Sequence, residues 1–218
     1  MTTGTSSVSA DALDAAIAAV TGELSEDEQH LAVAVYRLLA RGAPVSIPAA
    51  AAAASLTESA AAQVLRSWPA VFWDHLGRVT GFWGLAPAGM PPHGIRHAGT
   101  DLSAWCAWDP LFLALVIGDL QVTTADPVTG EHISYHIAPD GAITGASHPE
   151  SVLSFLRPDT PWDDNVITTF CHHVLHFTGV ATAAAWTAGH PGTFVISFAD
   201  AAGLARRHAA RFLGTAAD

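Results

Sequence analysis

Two cysteines and an aspartate are the residues of this sequence best suited to binding a metal ion. The chain contains only two cysteines, Cys106 and Cys171, with 64 residues between them, and Asp109 follows the first at a distance of three residues. A thiolate is a nucleophile and a ligand for soft metal ions, and a carboxyl group can carry a proton. Two thiolates beside one carboxyl group would therefore form a site for a soft metal ion.

The first cysteine precedes an apolar segment that predicts a helix ending at Gly118. Pro110 suits the first helical position, where its missing N–H is not needed, and Asp109 is the expected N-cap. Cys106 would then lie near the helix N-terminus, where backbone N–H groups favour a thiolate. Each residue also has a structural explanation, since Asp109 could only cap the helix and Cys106 could be a small core residue.

The second cysteine lies in a segment, residues 166–177, that predicts a β-strand. Strand alternation would place Cys171 and His173 on one face and His172 on the other. Cys171 and His173 could form a metal-ligand pair, although tetrahedral zinc sites usually show two closely spaced pairs of ligands. The alternative is that these histidines belong to the surface or to the core.

Composition excludes several classes of function. The 218 residues are 50% hydrophobic and 13% charged, as in a folded protein of one domain or two small ones. Nine arginines, no lysine and 20 acidic residues give a net charge of −11, which argues against nucleic acid and anionic lipid as partners. Neither a signal peptide nor an apolar run of about 18 residues is evident, which favours a cytoplasmic protein that does not enter membranes.

Common catalytic motifs are missing from the sequence. We find no glycine-rich nucleotide-binding pattern, no H-E-x-x-H zinc motif and no G-x-S-x-G nucleophile motif. A C-x-x-C pair is also absent, which argues against a thiol redox enzyme.

The N-terminal part, residues 1–90, predicts a winged-helix-like domain. Residues 1–9 are expected to be disordered, and helices are predicted over 10–20, after Ser25, after Pro48 and after Thr57, followed by a hairpin of 71–73 and 78–83. The third helix of the predicted winged helix offers only Arg66 as a cation and the hairpin only Arg78. We therefore expect a structural role for this domain and no binding to DNA.

The C-terminal part, residues 91–218, predicts the catalytic domain, after a Pro- and Gly-rich linker at 86–99. Strands are predicted at 120–124, 131–137, 152–156, 166–177 and 193–198, and a final helix at 199–213. Short strands joined by tight turns predict an α+β fold, with a mixed or antiparallel sheet and flanking helices.

Two segments resemble a known family. The segment Ala104-Trp-Cys-Ala-Trp-Asp109, followed by an apolar helix ending at Ile117-Gly118, resembles the signature of the alkylmercury (organomercurial) lyases. The segment Phe170-Cys-His-His-Val174 resembles the second cysteine segment of that family. The resemblance extends over about residues 25–214 and is closest around the two cysteines, and a winged-helix-like N-terminal part without DNA binding is also a family feature.

The resemblance implies an enzyme that cleaves carbon–mercury bonds by protonolysis, giving a hydrocarbon and Hg(II). Cys106 and Cys171 correspond to the catalytic cysteines that bind mercury, and Asp109 to the catalytic aspartate. No cofactor is implied; external thiols are expected to be needed, and a mercuric reductase is the expected acceptor of Hg(II). Asp126 and His172 stand where many members have further cysteines. The alternative is a non-catalytic protein that binds or senses a soft metal on the same scaffold.

Overall fold

The computed structural model describes residues 10–87, 89–158 and 166–217. Its helices are α1 (Ala10–Thr21), α2 (Glu26–Leu39), α3 (Ile47–Ala53), α4 (Glu58–Ser67), α5 (Asp109–Ile117), α6 (Val166–Thr169), α7 (Val180–Thr187) and α8 (Phe198–Leu213). Its strands are β1 (Val71–Trp73), β2 (Val79–Phe82), β3 (Leu85–Pro87), β4 (Gly94–His97), β5 (Thr100–Ala104), β6 (Leu120–Ala125), β7 (His132–Ile137), β8 (Ile143–Thr144), β9 (Val152–Leu156), β10 (His176–Phe177) and β11 (Thr193–Ser197). The expected disorder of residues 1–9 lies outside the described residues.

The strands form two antiparallel sheets. The larger sheet has eight strands in the order β1-β2-β3-β5-β4-β6-β7-β8, and the smaller has the order β10-β9-β11. Every described pair is antiparallel, as the short strands and tight turns predicted. The α+β fold class is confirmed.

The helix starts predicted at Ser25 and Thr57 are confirmed, whereas α3 begins at Ile47, one residue before Pro48. Ser25 caps α2 through a capping box, because its hydroxyl accepts from the Glu28 N–H while the Glu28 carboxylate accepts from the Ser25 N–H. Thr57 caps α4 in the predicted way. The hairpin of β1 and β2 also forms, and its Arg78 pairs with Asp74 at 2.7 Å. Three helices and a hairpin thus follow the predicted order; their assignment as a winged helix stays a prediction.

The segment predicted as a linker, residues 86–99, carries regular structure instead. It contains the end of β3 and all of β4, and both strands pair with β5. The segment forms strands despite its prolines and glycines, because β5 has a free hydrogen-bonding edge on each side and pairs with β3 on one and β4 on the other. The large sheet therefore continues across residue 90, and the division into two domains at that point stays a prediction.

Helix α5 is surrounded by the core. All of its residues except Leu115 are buried, and it ends before Gly118 as predicted, with a φ of +100° at that glycine. Within the described ranges, no helix combines the length and apolar character needed to cross a membrane.

The prediction of one long strand over residues 166–177 is wrong. The chain forms α6, then a 3₁₀ turn at Cys171–His173, and only then the short strand β10. Buried Ser154 on β9 stabilises this path, since its hydroxyl donates to the His173 carbonyl at 2.7 Å and accepts from the Leu175 N–H at 3.1 Å. These tertiary bonds outweigh the strand propensity of the β-branched run.

Candidate active site

The two cysteines and the aspartate meet at one point. The sulfur atoms of Cys106 and Cys171 and a carboxylate oxygen of Asp109 all lie within 4.8 Å of one another. All three residues are buried, and Cys106 is fully enclosed. We call this group the sulfur–carboxyl cluster. His173, the alternative partner of Cys171, does not belong to it.

Backbone hydrogen bonds fix the loop that carries Cys106. The loop leaves β5 and enters α5, and the residues on either side of the cysteine are tied to different parts of the fold. The Trp105 N–H donates to the Gly84 carbonyl and the Ala107 N–H to the Val174 carbonyl, both at 3.0 Å. The second bond joins the Cys106 loop directly to the segment that follows Cys171, which brings the sulfurs together.

The carboxyl group of Asp109 faces back toward Cys106. Asp109 is the first residue of α5 and not its N-cap, which is Trp108 without a side-chain hydrogen bond, so the predicted capping role is wrong. Its Oδ2 accepts from the Cys106 N–H at 2.7 Å. The Asp109 carboxylate therefore accepts a hydrogen bond from the loop before the helix, and not from the N–H groups of the first turn of α5 as the cap prediction required.

Burial makes Asp109 an acid that can exchange its proton near neutrality. Loss of hydration raises its pKa from 3.8 to about 7, although hydrogen bonds from the Cys106 and Trp105 backbone and from the Cys106 thiol oppose the shift. A carboxyl group with this pKa can both accept and donate a proton at neutral pH.

Both thiols are protonated in the absence of a bound metal. Burial raises the pKa of Cys106 well above its ordinary value, and Cys171 and Asp109 raise it further. A hydrogen bond from Cys106 lowers the pKa of Cys171, but burial and Asp109 shift it upward overall. The expected thiolate at the N-terminus of α5 is therefore wrong for Cys106, because burial outweighs the nearby backbone N–H.

Two cavities of the described structure border the cluster and have largely different linings. The Asp109 cavity, of about 40 Å³, is lined by Ile17, Thr21, Trp83, Gly84, Trp105, Trp108, Asp109, Phe112, Val166, Phe170, Cys171 and His208. The His172 cavity, of about 180 Å³, is lined by Met90, Pro91, Pro92, His93, Ala104, Trp105, Ile167, Cys171, His172 and Leu175. Trp105 and Cys171 line both and thus separate the two spaces.

The Asp109 cavity is mostly apolar but contains unpaired ring nitrogens. Nε1 of Trp83, Nε1 of Trp105 and Nδ1 of His208 are buried and have no hydrogen-bond partner among the described residues. Burial lowers the pKa of His208 to about 3, so the ring is neutral at pH 7. The cavity wall is therefore uncharged apart from the Asp109 carboxyl group.

Sequence reasoning missed the residues that shape the site without reacting. Gly84 has a φ of +94°, and a Cβ there would lie 2.6 Å from Cγ of Asp109. Its position after the Phe82-Trp83 end of the predicted hairpin signalled a turn, but not its closeness to Asp109. His208 and the Val174 carbonyl carried no sequence signal, because only the packing of α8 and the 3₁₀ turn brings them to the site.

Asp126 and His172, where the resemblance implies cysteines in many family members, differ in their surroundings. His172 is exposed at the edge of its cavity. Asp126 is buried away from the cluster, where its Oδ2 accepts from the N–H and hydroxyl of Thr178 at 2.8 and 2.9 Å. Burial opposes its ionisation, but these and other donors lower its pKa to about 2. Asp126 thus fastens the turn after β6 to the chain after β10.

Replacing Gly84 by alanine tests the close contact with Asp109. We expect Gly84→Ala to lower the free energy of unfolding by clearly more than the ~1–2 kcal/mol that positive φ alone costs, because the new methyl group overlaps the carboxyl group. Gly77→Ala is the matched control, since Gly77 has a φ of +70° and open space around it. Equal losses in urea unfolding of the two variants would contradict the contact.

The pH dependence of stability tests the burial of Asp109. Its folded pKa, about 7, exceeds its ordinary value of 3.8, so between these values the folded protein holds a proton that the unfolded chain has lost. The Asp109 contribution to the free energy of unfolding therefore falls as pH rises from about 4 to 7, by a few kcal/mol, and is constant above pH 7.

Asp109→Asn should remove this fall, because asparagine does not titrate. The measurement is urea unfolding of parent and variant between pH 4 and 8, with the exposed substitution Glu150→Gln as control. A parent-minus-Asn difference that stays the same at every pH would refute the raised pKa.

Both the sequence and the fold are similar to those of known proteins. Residues 89–210 match the family model of MerB, alkylmercury lyase. The chain is 32% identical to an alkylmercury lyase of Pseudomonas putida over 84% of this chain and 85% of the relative, and 32% identical to one of Bacillus cereus over 88% and 86%. The solved mercury-bound form of MerB2 shares the fold, with a TM-score of 0.69 at 18% identity, over 95% of this chain and all of that one.

The matched family region contains all three members of the sulfur–carboxyl cluster. Sequence identity above 30% over more than four fifths of both chains indicates membership of the same family, and not merely a shared fold. The protein described here belongs to the alkylmercury lyase family.

Proposed function

We propose that this protein cleaves the carbon–mercury bond of organomercurials by protonolysis, with Cys106, Cys171 and Asp109 as the catalytic residues. The observation that carries the proposal is the convergence of two sulfurs and one carboxyl oxygen within 4.8 Å in a buried site. This arrangement supplies the two things that the reaction needs, sulfur ligands for a soft metal ion and a proton donor beside it.

The chemistry follows from the electron donation of sulfur. Each thiolate bound to mercury passes electron density to the attached carbon, which becomes more basic and easier to protonate. Overall, the organomercurial cation and two thiols give a hydrocarbon, Hg(II) held by two thiolates, and one released proton. Both thiol protons are thereby accounted for: one leaves with the carbon as the hydrocarbon, and the other is released to solvent.

Cys171 is the first sulfur to bind in this scheme. It lines both cavities, whereas Cys106 lines neither and is fully enclosed. Cys106 then binds the mercury from the inner side, and its proton passes to Asp109.

Asp109 transfers this proton to the carbon. Its hydrogen bond from the Cys106 N–H holds the carboxyl group next to that thiol, and its pKa of about 7 permits it to take up and release a proton at neutral pH. The same buried environment keeps water from competing for the proton.

The proposed reaction needs no cofactor, because sulfur and proton both come from the chain. External thiols would remove the Hg(II), with a mercuric reductase as a further acceptor. Reduced cysteines are required, which fits the cytoplasm, and both cysteines are free here. The N-terminal helices and hairpin would then act as a structural domain of winged-helix type, and not as a DNA reader.

The alternative is a protein that only binds or senses a soft metal ion. Such a protein needs the two sulfurs but has no use for a buried acid with a pKa near 7. The presence of Asp109 within the cluster therefore favours the lyase, and hydrocarbon release separates the two functions.

Removing either sulfur should abolish cleavage. We expect Cys106→Ser and Cys171→Ser each to stop methane release from methylmercury, because one thiolate alone activates the carbon too little. Methane in the headspace of the reaction is the measurement. His173→Gln is the control, since His173 is next to the site in sequence but outside the cluster. Near-normal release by either serine variant would contradict the role of two thiolates.

Removing the carboxyl group of Asp109 should leave mercury binding intact but slow the cleavage of the carbon–mercury bond. We expect Asp109→Asn to retain one Hg(II) per chain but to lose turnover by about 10²–10⁴-fold, the usual contribution of general acid catalysis. Retained mercury after gel filtration and headspace methane provide the two readouts. Turnover at the parent rate would show that Asp109 does not carry the proton.

A further inference from the structure

The two cavities that meet at Cys171 suggest separate routes for the two products. We propose that the His172 cavity binds a low-molecular-weight thiol that removes Hg(II) from the cluster, while the organic group occupies the Asp109 cavity. This inference rests on the proposed function in one respect, that the cluster holds mercury.

The position of the acid assigns the organic group to one side. A proton from Asp109 can reach only a carbon that lies beside its carboxyl group. Asp109 lines its own cavity and not the His172 cavity. The organic group must therefore leave on the Asp109 side, where the wall is mostly apolar, and the His172 cavity, which Cys171 also lines, remains for another molecule.

The chain cannot complete mercury release with its own sulfur. Both of its cysteines already belong to the cluster, and His172 at the edge of the second cavity offers no thiol. A soft ion such as Hg(II) leaves sulfur readily only for other sulfur ligands. The acceptor sulfur must therefore come from a separate molecule that can approach the cluster.

Space and charge favour the His172 cavity for that approach. It provides about 180 Å³ against about 40 Å³ on the Asp109 side. None of the described residues lining it is an aspartate or a glutamate, whereas the other cavity contains the Asp109 carboxyl group. An incoming thiol becomes negatively charged as it loses its proton and its sulfur binds mercury, so it avoids the carboxylate and reaches mercury beside Cys171.

The exchange conserves atoms and charge. The sulfur of one incoming thiol forms a bond to mercury while the bond from mercury to Cys171 breaks, and Cys171 takes up the proton that the incoming thiol loses. A second thiol displaces Cys106 in the same way. The products are a mercury dithiolate and an enzyme with two thiols, and no atom is oxidised or reduced.

The test measures mercury release from protein loaded with inorganic Hg(II), so that it does not depend on carbon–mercury cleavage. We compare Leu175→Trp and His172→Trp, which place an indole in or at the edge of the His172 cavity, with Thr21→Trp, which places one in the Asp109 cavity. Leu175 and Thr21 are both half-buried, and His172 is exposed, so its variant tolerates the larger ring. Stopped-flow loss of the mercury–thiolate absorbance after addition of 2-mercaptoethanol or glutathione gives the rate.

We expect the two variants of the His172 cavity to slow release by about tenfold or more, with the greater effect on glutathione because it is the larger thiol. Thr21→Trp should release mercury at the parent rate. Parent-like rates in both His172-cavity variants, or slow release in Thr21→Trp, would overturn the proposal. Failure of the parent to release hydrocarbon from an organomercurial would instead contradict the proposed function and leave the release pattern as evidence for the thiol site.

Discussion

The structure depends on keeping three acidic groups close together in a buried site. Burial of a carboxyl group and two thiols disfavours their charged forms, and this is why Asp109 has a pKa of about 7 and both thiols remain protonated. A soft metal ion stabilises the thiolate forms in this buried site, since its positive charge replaces that of the thiol protons. The site is thus poised to exchange protons for a metal, and a buried acid is at hand to move one of them.

The scaffold meets this constraint by joining the two sheets at the site. The large sheet delivers Cys106 at the end of β5, and the small sheet holds the Cys171 segment through Ser154 on β9. A backbone hydrogen bond from the Ala107 N–H to the Val174 carbonyl connects the two segments. Because Gly84 leaves no side chain in the way, the Asp109 carboxyl group fits against the turn between β2 and β3.

The sequence was sufficient to select the three residues that meet in the sulfur–carboxyl cluster and to predict elements with strong local signals. The capping residues Ser25 and Thr57 marked their helices correctly, because side-chain caps act over only three residues. It failed where distant contacts decide the local structure. The segment predicted as one strand forms a short helix and a 3₁₀ turn before its short strand, since Ser154 and the Cys106 loop bind the backbone of residues 173–175. Asp109 was misassigned as a cap because its carboxylate bonds to Cys106, and no local rule predicts that choice. Gly84 and His208 belong to the site only through packing.

The most direct test of the account is a single turnover in heavy water. Purified protein with reduced cysteines is mixed with an equimolar amount of methylmercury in D₂O, and the headspace gas and the protein-bound mercury are measured together. The account predicts about one equivalent of monodeuterated methane and one Hg(II) retained on each chain, because the carbon receives its proton from exchangeable groups of the site. Stable binding of methylmercury without methane would contradict it.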